Sequence, residues 1–209
     1  MYPDANVRRG GIMIIRAMSF ATPSMVAAFL GAALAPHAAT AAFTVFGNGL
    51  SQVCAETARN MERGITPPPQ SIEICTMAIE NEDLRQRDHA GTYINRGILY
   101  LARGGYREAK QDFDSAIAIL PGLGEAYVNR GAALVGLQLY SDAIADIDRG
   151  LALNPSEPEK AYFNRGLAEE ALDNIPAAYR DYSRAAELKP GWAPPLNELS
   201  RFTVATRPS

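Results

Sequence analysis

Chemistry has few places to start in this sequence, which carries two histidines and two cysteines in 209 residues. His89 closes the polar run from Asp83. A general base there would need convergent acidic or hydroxyl partners in a pocket, and no such constellation surrounds it. It reads as a solvent-exposed or helix-start residue. No G-x-S-x-G nucleophile elbow occurs. Gly47-Asn48-Gly49 lacks the third glycine of a dinucleotide fingerprint, and Gly122-Leu123-Gly124 reads as a connector. No catalytic residue, metal site or cofactor is expected. Cys54 and Cys75 lie 21 residues apart on two segments with helical spacing. They suit one disulfide closing a helical hairpin, worth roughly 3 kcal/mol for a loop of that size; two buried free thiols are the alternative. The formal charge is −3 and there is no basic run, which argues against a nucleic-acid partner, since that affinity rests on clustered cations.

The elements that would position any site follow from one stretch. Tyr93-Ile94-Asn95-Arg96-Gly97 returns as Tyr127-Val128-Asn129-Arg130-Gly131 and as Tyr162-Phe163-Asn164-Arg165-Gly166, at intervals of 34 and 35 residues. Each copy is followed by a second helical segment with a small, a large and a small residue: Ala109, Phe113, Ala116; then Ala143, Ile147, Gly150; then Ala178, Tyr182, Ala185. Pro121, Pro155 and Pro190 close the units by stopping the second helix. Gly and the small Ala are expected to face each other where the two helices come closest. A unit of this period buries its apolar face only against its neighbours.

These placements resemble the tetratricopeptide repeat, with three units at 90–123, 124–157 and 159–192. The resemblance implies an all-α, right-handed superhelical array of antiparallel helix hairpins, a TPR-like solenoid. One departure is informative. Arg96, Arg130 and Arg165 stand where the motif has Leu before Gly, and Asp112, Asp146 and Asp181 recur at the same intervals. A cation on a packing face needs a counter-charge, so Arg–Asp pairs are expected within or between repeats.

Around the repeats, residues 1–41 read as an export signal. Arg8, Arg9 and Arg16 precede the apolar run Met25 to Ala35, and Ala39-Thr40-Ala41 is a small-residue cleavage site. Met13 or Met18 would serve as an alternative initiator. The mature chain would keep 17 basic and 22 acidic residues, with no stable membrane span; a retained signal anchor is the alternative. Residues 42–89 form a divergent hairpin: one helix from Ser51, as N-cap, to Arg63 and Gly64, then Pro67-Pro68-Pro69, then a helix over 71–81. Residues 193–209 supply a capping helix and tail, with Leu196, Leu199 and Phe202 on one helical face and Trp192 packed beside it.

The concave face then remains as the site. The resemblance implies that it is lined by the first helices: Ile94, Asn95 and Ile98; Val128, Asn129 and Ala132; Phe163, Asn164 and Leu167. An apolar floor with a line of amides suits an extended peptide or a helix of a partner; asparagines bonding the neighbouring repeat are the bland alternative. A specialised clamp for a C-terminal carboxylate is not expected, because Ile94 and Ile98 occupy positions where it needs polar groups, leaving Asn129 and Lys160. The expectation is a non-catalytic scaffold or adaptor in the cell envelope, periplasmic, for an unidentified protein or peptide. Its rivals are an accessory subunit of an envelope enzyme, or such an enzyme itself, and a self-associating structural protein forming a homo-oligomer.

Overall fold

Helix-forming stretches punctuated by Gly and Pro set the architecture. The computed structural model describes residues 6–9, 39, 42, 49–62 and 65–205. Among the described residues the helices run α1 (Leu50–Glu62), α2 (Ser71–Asn81), α3 (Gln86–Ala102), α4 (Tyr106–Ile119), α5 (Gly124–Gly136), α6 (Tyr140–Ala152), α7 (Pro158–Ala171), α8 (Ile175–Leu188) and α9 (Ala193–Leu199). Two short strands, β1 (Asn6–Arg9) and β2 (Phe202–Ala205), complete the order. Consecutive helices pair as hairpins, α1 with α2, α3 with α4, α5 with α6 and α7 with α8, and each hairpin packs on the next. The fold is an all-α solenoid.

Glycine sets the closest approach inside each regular hairpin, and its nearest neighbour is the large residue of the second helix, with the expected Ala beside it only at Gly131, where the Ala143 carbonyl oxygen would lie 3.2 Å from an added Cβ. A Cβ at Gly97 would lie 2.5 Å from Phe113 Cε1, at Gly131 2.5 Å from Ile147 Cγ1, and at Gly166 2.7 Å from Tyr182 Cε1. The glycine therefore accommodates the large residue of the second helix, and Ala109, Ala143 and Ala178 on the same helices are fully buried. The turn inside each hairpin also repeats. Gly104, Gln138 and Asp173 occupy matched positions with φ of 73°, 62° and 61°, the left-handed conformation that ends a helix by reversing the chain.

The N-terminal hairpin is pinned covalently. Cys54 and Cys75 are bridged, S–S 2.06 Å, and both are fully buried with Leu99 of α3, so the next hairpin packs onto the bridge. The second helix keeps its expected bounds. The first begins at Leu50, and Ser51 is not its cap. The Glu82 carboxylate accepts hydrogen bonds from the amides of Leu50 and Ser51, the latter at 3.2 Å, placing an anion at the positive end of α1 from beyond α2. Arg63 and Gly64, expected to end this helix, lie outside the described residues.

Two further boundaries depart from the sequence reading. The connector expected over 83–89 is shortened by α3, which starts at Gln86 and takes His89 into its N-terminal portion. At the other end α9 stops at Leu199, and Phe202 does not extend it. Phe202-Thr203-Val204 is a run of aromatic and β-branched residues, which favours a strand, and β2 pairs antiparallel with β1, Arg9 opposite Phe202 and Asn6 opposite Ala205. Phe202 packs against Tyr179 and Tyr182, ring centroids 5.8 and 6.0 Å away. Of the expected export signal, Arg8 and Arg9 lie on β1 and Ala39 is described. Met13, Arg16, Met18, the apolar run Met25 to Ala35, Thr40 and Ala41 lie outside the described residues. Among the described residues no helix is long and apolar enough to cross a membrane.

Candidate functional site

Two rows of polar side chains leave the first helices at adjacent positions, and their surroundings separate them. The arginines come first. Tyr sits three residues before each Arg, one helical turn away, and the guanidinium lies over its ring at 5.5 Å in Tyr93–Arg96 and Tyr127–Arg130 and 5.3 Å in Tyr162–Arg165. The edge of each guanidinium meets the second helix of the same hairpin. Arg96 donates from Nε and Nη2 to Asp112 at 2.9 and 2.7 Å. Arg130 does the same to Asp146 at 2.6 and 2.7 Å, and Arg165 to Asp181 at 2.8 and 2.7 Å. These are bidentate, charge-assisted bonds, the strong kind.

The third nitrogen reaches backward along the array. Nη1 of Arg130 donates to Asp114 at 2.7 Å and Nη1 of Arg165 to Asp148 at 2.5 Å. At the start of the array Nη1 of Arg96 donates to the Thr76 hydroxyl at 2.9 Å. Each arginine thus ties its own hairpin together and straps it to the preceding one. Hydrogen bonds to the aspartates are the main cause holding Arg96, Arg130 and Arg165 above the ordinary guanidinium value, against the effect of burial. Asp112 is drawn upward by burial and downward by Arg96; two short charge-assisted bonds favour the ion pair. Burial would also raise Asp114, but hydrogen bonds from Lys110 and Arg130 outweigh it and hold that carboxyl below its usual range. With both their guanidinium faces and their N–H groups engaged, the arginines serve architecture.

Asp114 and Asp148 were not anticipated, although they recur at the repeat interval and so carried a sequence signal. Glu170 was missed as well. It is buried, accepts from the Tyr182 hydroxyl at 2.8 Å and pairs with Arg201 at 2.9 Å. Burial, then this bond to Glu170, hold the Tyr182 phenol far above its ordinary value.

The asparagine row behaves differently. Asn95, Asn129 and Asn164 are fully buried, as are Ile94, Ile98 and Ala132, while Val128, Phe163 and Leu167 are nearly so. Phe163 packs in the third-repeat cluster, its ring 5.8 Å from Tyr182 and 5.3 Å from Trp192. Trp192, half-buried, also lies under Lys189 Nζ at 5.6 Å. Asn164 reaches a partner far along the chain. Its Oδ1 accepts from the Ala39 amide at 2.7 Å and its Nδ2 donates to the Ala39 carbonyl at 2.6 Å. One carboxamide thereby pairs with both polar groups of a single backbone residue, a contact that requires no particular side chain.

The remaining candidates are occupied by structure. Lys160 is buried and donates to Glu157 at 2.8 Å. His89 stacks on Tyr93 with ring centroids 5.1 Å apart, and among the described residues its Nε2 has no hydrogen-bond partner. Among the described residues there is no group of three or more His, Cys, Asp or Glu side chains arranged to hold a metal ion.

Stacked helix hairpins, bound by a periodic ion-pair strap and carrying amides along their first helices, define a helical-repeat protein. The chain belongs to the tetratricopeptide repeat family. It is 32% identical to the first TPR domain of the human RPAP3 protein over 53% of this chain and 87% of that one, with a TM-score of 0.50. The TPR domain of Arabidopsis OM64 matches at 22% identity over 56% of this chain and 96% of that one, TM-score 0.52. PilW, a type IV pilus biogenesis factor, matches at 22% identity over 74% of this chain and 69% of that one, TM-score 0.62; these last two likenesses concern the fold. No family model and no curated protein matches the sequence.

Proposed function

We propose that this chain is a non-catalytic protein-interaction scaffold whose concave groove takes an extended peptide segment of a partner protein. The observation that carries this reading is the pair of hydrogen bonds between the Asn164 carboxamide and the backbone of Ala39. It supports an extended peptide over a helix, because a helix already spends its interior N–H and C=O groups on its own turns and has none to offer a carboxamide. The apolar residues next to the asparagines would then bury the peptide's side chains. The setting is the cell envelope after export. The leader-like residues 1–41 support it, and so does the bridge between Cys54 and Cys75, which suits an oxidising compartment.

The test is crosslinking and co-purification of the protein from its own envelope, with the crosslinked partner residues mapped by mass spectrometry. Wild type should capture a partner through an extended segment, and Asn164→Ala should lose it. Capture of the same partner at the same level by Asn164→Ala would overturn the groove reading. Phe163→Glu would not isolate the groove, because a charge there would sit against Tyr182 and Trp192 in the third-repeat core.

A further inference from the structure

The N-terminal hairpin follows the plan of the repeats but is joined by different chemistry. Cys75 precedes Phe113 by 38 positions, Ser71 and Ala78 precede Ala109 and Ala116 by the same interval, and all are buried. Cys75 thus holds the place of the large residue of the second helix. The bridge sets Cys54 opposite it, as Gly97, Gly131 and Gly166 lie opposite Phe113, Ile147 and Tyr182. The residues just before the two cysteines change as well. Val53 and Ile74 stand where the next hairpin has Arg96 and Asp112, so no bidentate ion pair can join α1 to α2 there. The covalent bond replaces both joints of the regular hairpin.

Little else of size holds α1 down. Its fully buried side chains are Cys54, Ala55 and Ala58, with Ser51 nearly so and Met61 partly covered. Ala55 and Ala58 share one cluster with Ile94 and Ile98 of α3. Alanine methyls remove far less apolar surface from water than Phe113, Ile147 or Tyr182 do in the regular hairpins, and they stabilise in proportion. The Glu82 carboxylate at the start of α1 adds an ion–dipole contact that salt screens. α2 has ties that bypass the bridge. Its Thr76 hydroxyl accepts from Arg96 at 2.9 Å, and the Pro68 and Pro69 carbonyls at its entry accept from Arg103 at 3.1 and 2.8 Å. Removing the bridge therefore frees α1 before α2.

We propose that α1 is a redox-conditional element: it docks on the array only while Cys54 and Cys75 are bridged, and on reduction it leaves and uncovers Ile94 and Ile98 while α2 and the three repeats stay folded. This goes beyond the peptide groove and does not depend on it. Closure is an oxidation in which each thiol gives up one proton and one electron. The S–S bond forms by thiolate attack on a disulfide-bearing oxidant, through a mixed disulfide, and the oxidant departs as a dithiol. A dithiol reductant reverses the exchange and becomes the disulfide. The apolar face of α3 is then wet in a thiol-rich compartment and covered in an oxidising one. The N-terminal end of the array is completed where the bridge can form.

The test is amide hydrogen exchange, read by mass spectrometry on the full chain, first oxidised and then reduced with excess dithiothreitol. Cys54→Ser with Cys75→Ser is the second form, which needs no reductant. Exchange in α1 should speed up about a hundredfold on reduction, the factor that a cross-link closing a loop of this length supplies at about 1.4 kcal/mol per tenfold. Helices α5 to α8 should change by less than about twofold. Reoxidation with oxidised glutathione should restore protection of α1 in wild type and leave the double variant as it was. Unaltered exchange in α1 after complete reduction would show that packing alone holds the helix, and would overturn the proposal. Protection lost equally from α1 and from α5 to α8 would also overturn it, because the bridge would then support the whole array rather than one helix.

Discussion

Asn and Arg are neighbours in every copy of the repeated stretch, yet Asn164 differs from the arginine row beside it. Each of Arg96, Arg130 and Arg165 meets the same set of partners: a Tyr face, a bidentate Asp on its own hairpin and an oxygen on the hairpin before. The row is periodic because its partners are periodic. Asn164 instead reaches Ala39, 125 positions away in the chain and outside the repeats. A side chain whose partner recurs with the repeat is holding the array together, whereas Asn164 has its partner outside the period. The C-terminal acceptor position agrees with this. Asp114 and Asp148 serve the following arginine, and the equivalent place in the last repeat is Ser183, with no further repeat to strap.

The largest effect should come from breaking the most buried rung. Arg96 and Asp112 have side-chain exposures of 16% and 5%, so Asp112→Ala leaves a guanidinium buried without its counter-charge. It should cost about 3 kcal/mol by urea denaturation, and replacing both partners, Arg96→Met with Asp112→Leu, should recover most of that. A cost for Asp112→Ala no larger than that of the exposed Glu108→Ala would place the arginine row outside the structural frame. The strap between hairpins should matter less. Asp148 is 53% exposed, and Asp148→Ala should cost under about 1 kcal/mol, with the cost shrinking further at high salt.

The smallest effect is the pH dependence of the other strap. Asp114 is held below its usual range when folded, so its contribution is present above the unfolded value near pH 4 and is lost as pH falls through the lower folded value. The stability difference between wild type and Asp114→Asn should therefore be larger at about pH 6 than at about pH 3. A difference that grows on acidification would contradict the assignment.

What the sequence made legible follows the same division. The hairpins, the bridge between Cys54 and Cys75 and the pairing of Arg96, Arg130 and Arg165 with Asp112, Asp146 and Asp181 all left a mark at a fixed interval or in a residue type with one use. Asp114 and Asp148 left the same mark, two positions after Asp112 and Asp146 on the second helices. Other contacts left none. Glu82 reaches the start of α1 from beyond α2, and nothing local distinguishes it from a surface acid. The carboxamide of Asn164 binds backbone, so Ala39 needed no distinctive side chain and shows none. The boundary at Leu199 was misread because Leu196, Leu199 and Phe202 fit a helical period while the β-favouring run after Phe202 finds its partner at the opposite end of the chain.

The two rows are separated most directly by measuring melting temperature and capture of the crosslinked partner together, in full-length protein carrying either Asp148→Ala or Asn164→Ala. The strap variant should melt lower and capture the partner as wild type does. The amide variant should melt within about 2 °C of wild type, as expected for a stability change of a few tenths of a kcal/mol, and lose partner capture by about tenfold or more. Loss of binding in Asp148→Ala with Asn164→Ala unaffected would contradict the account, because it would make the arginine row the ligand site and the asparagine row the frame.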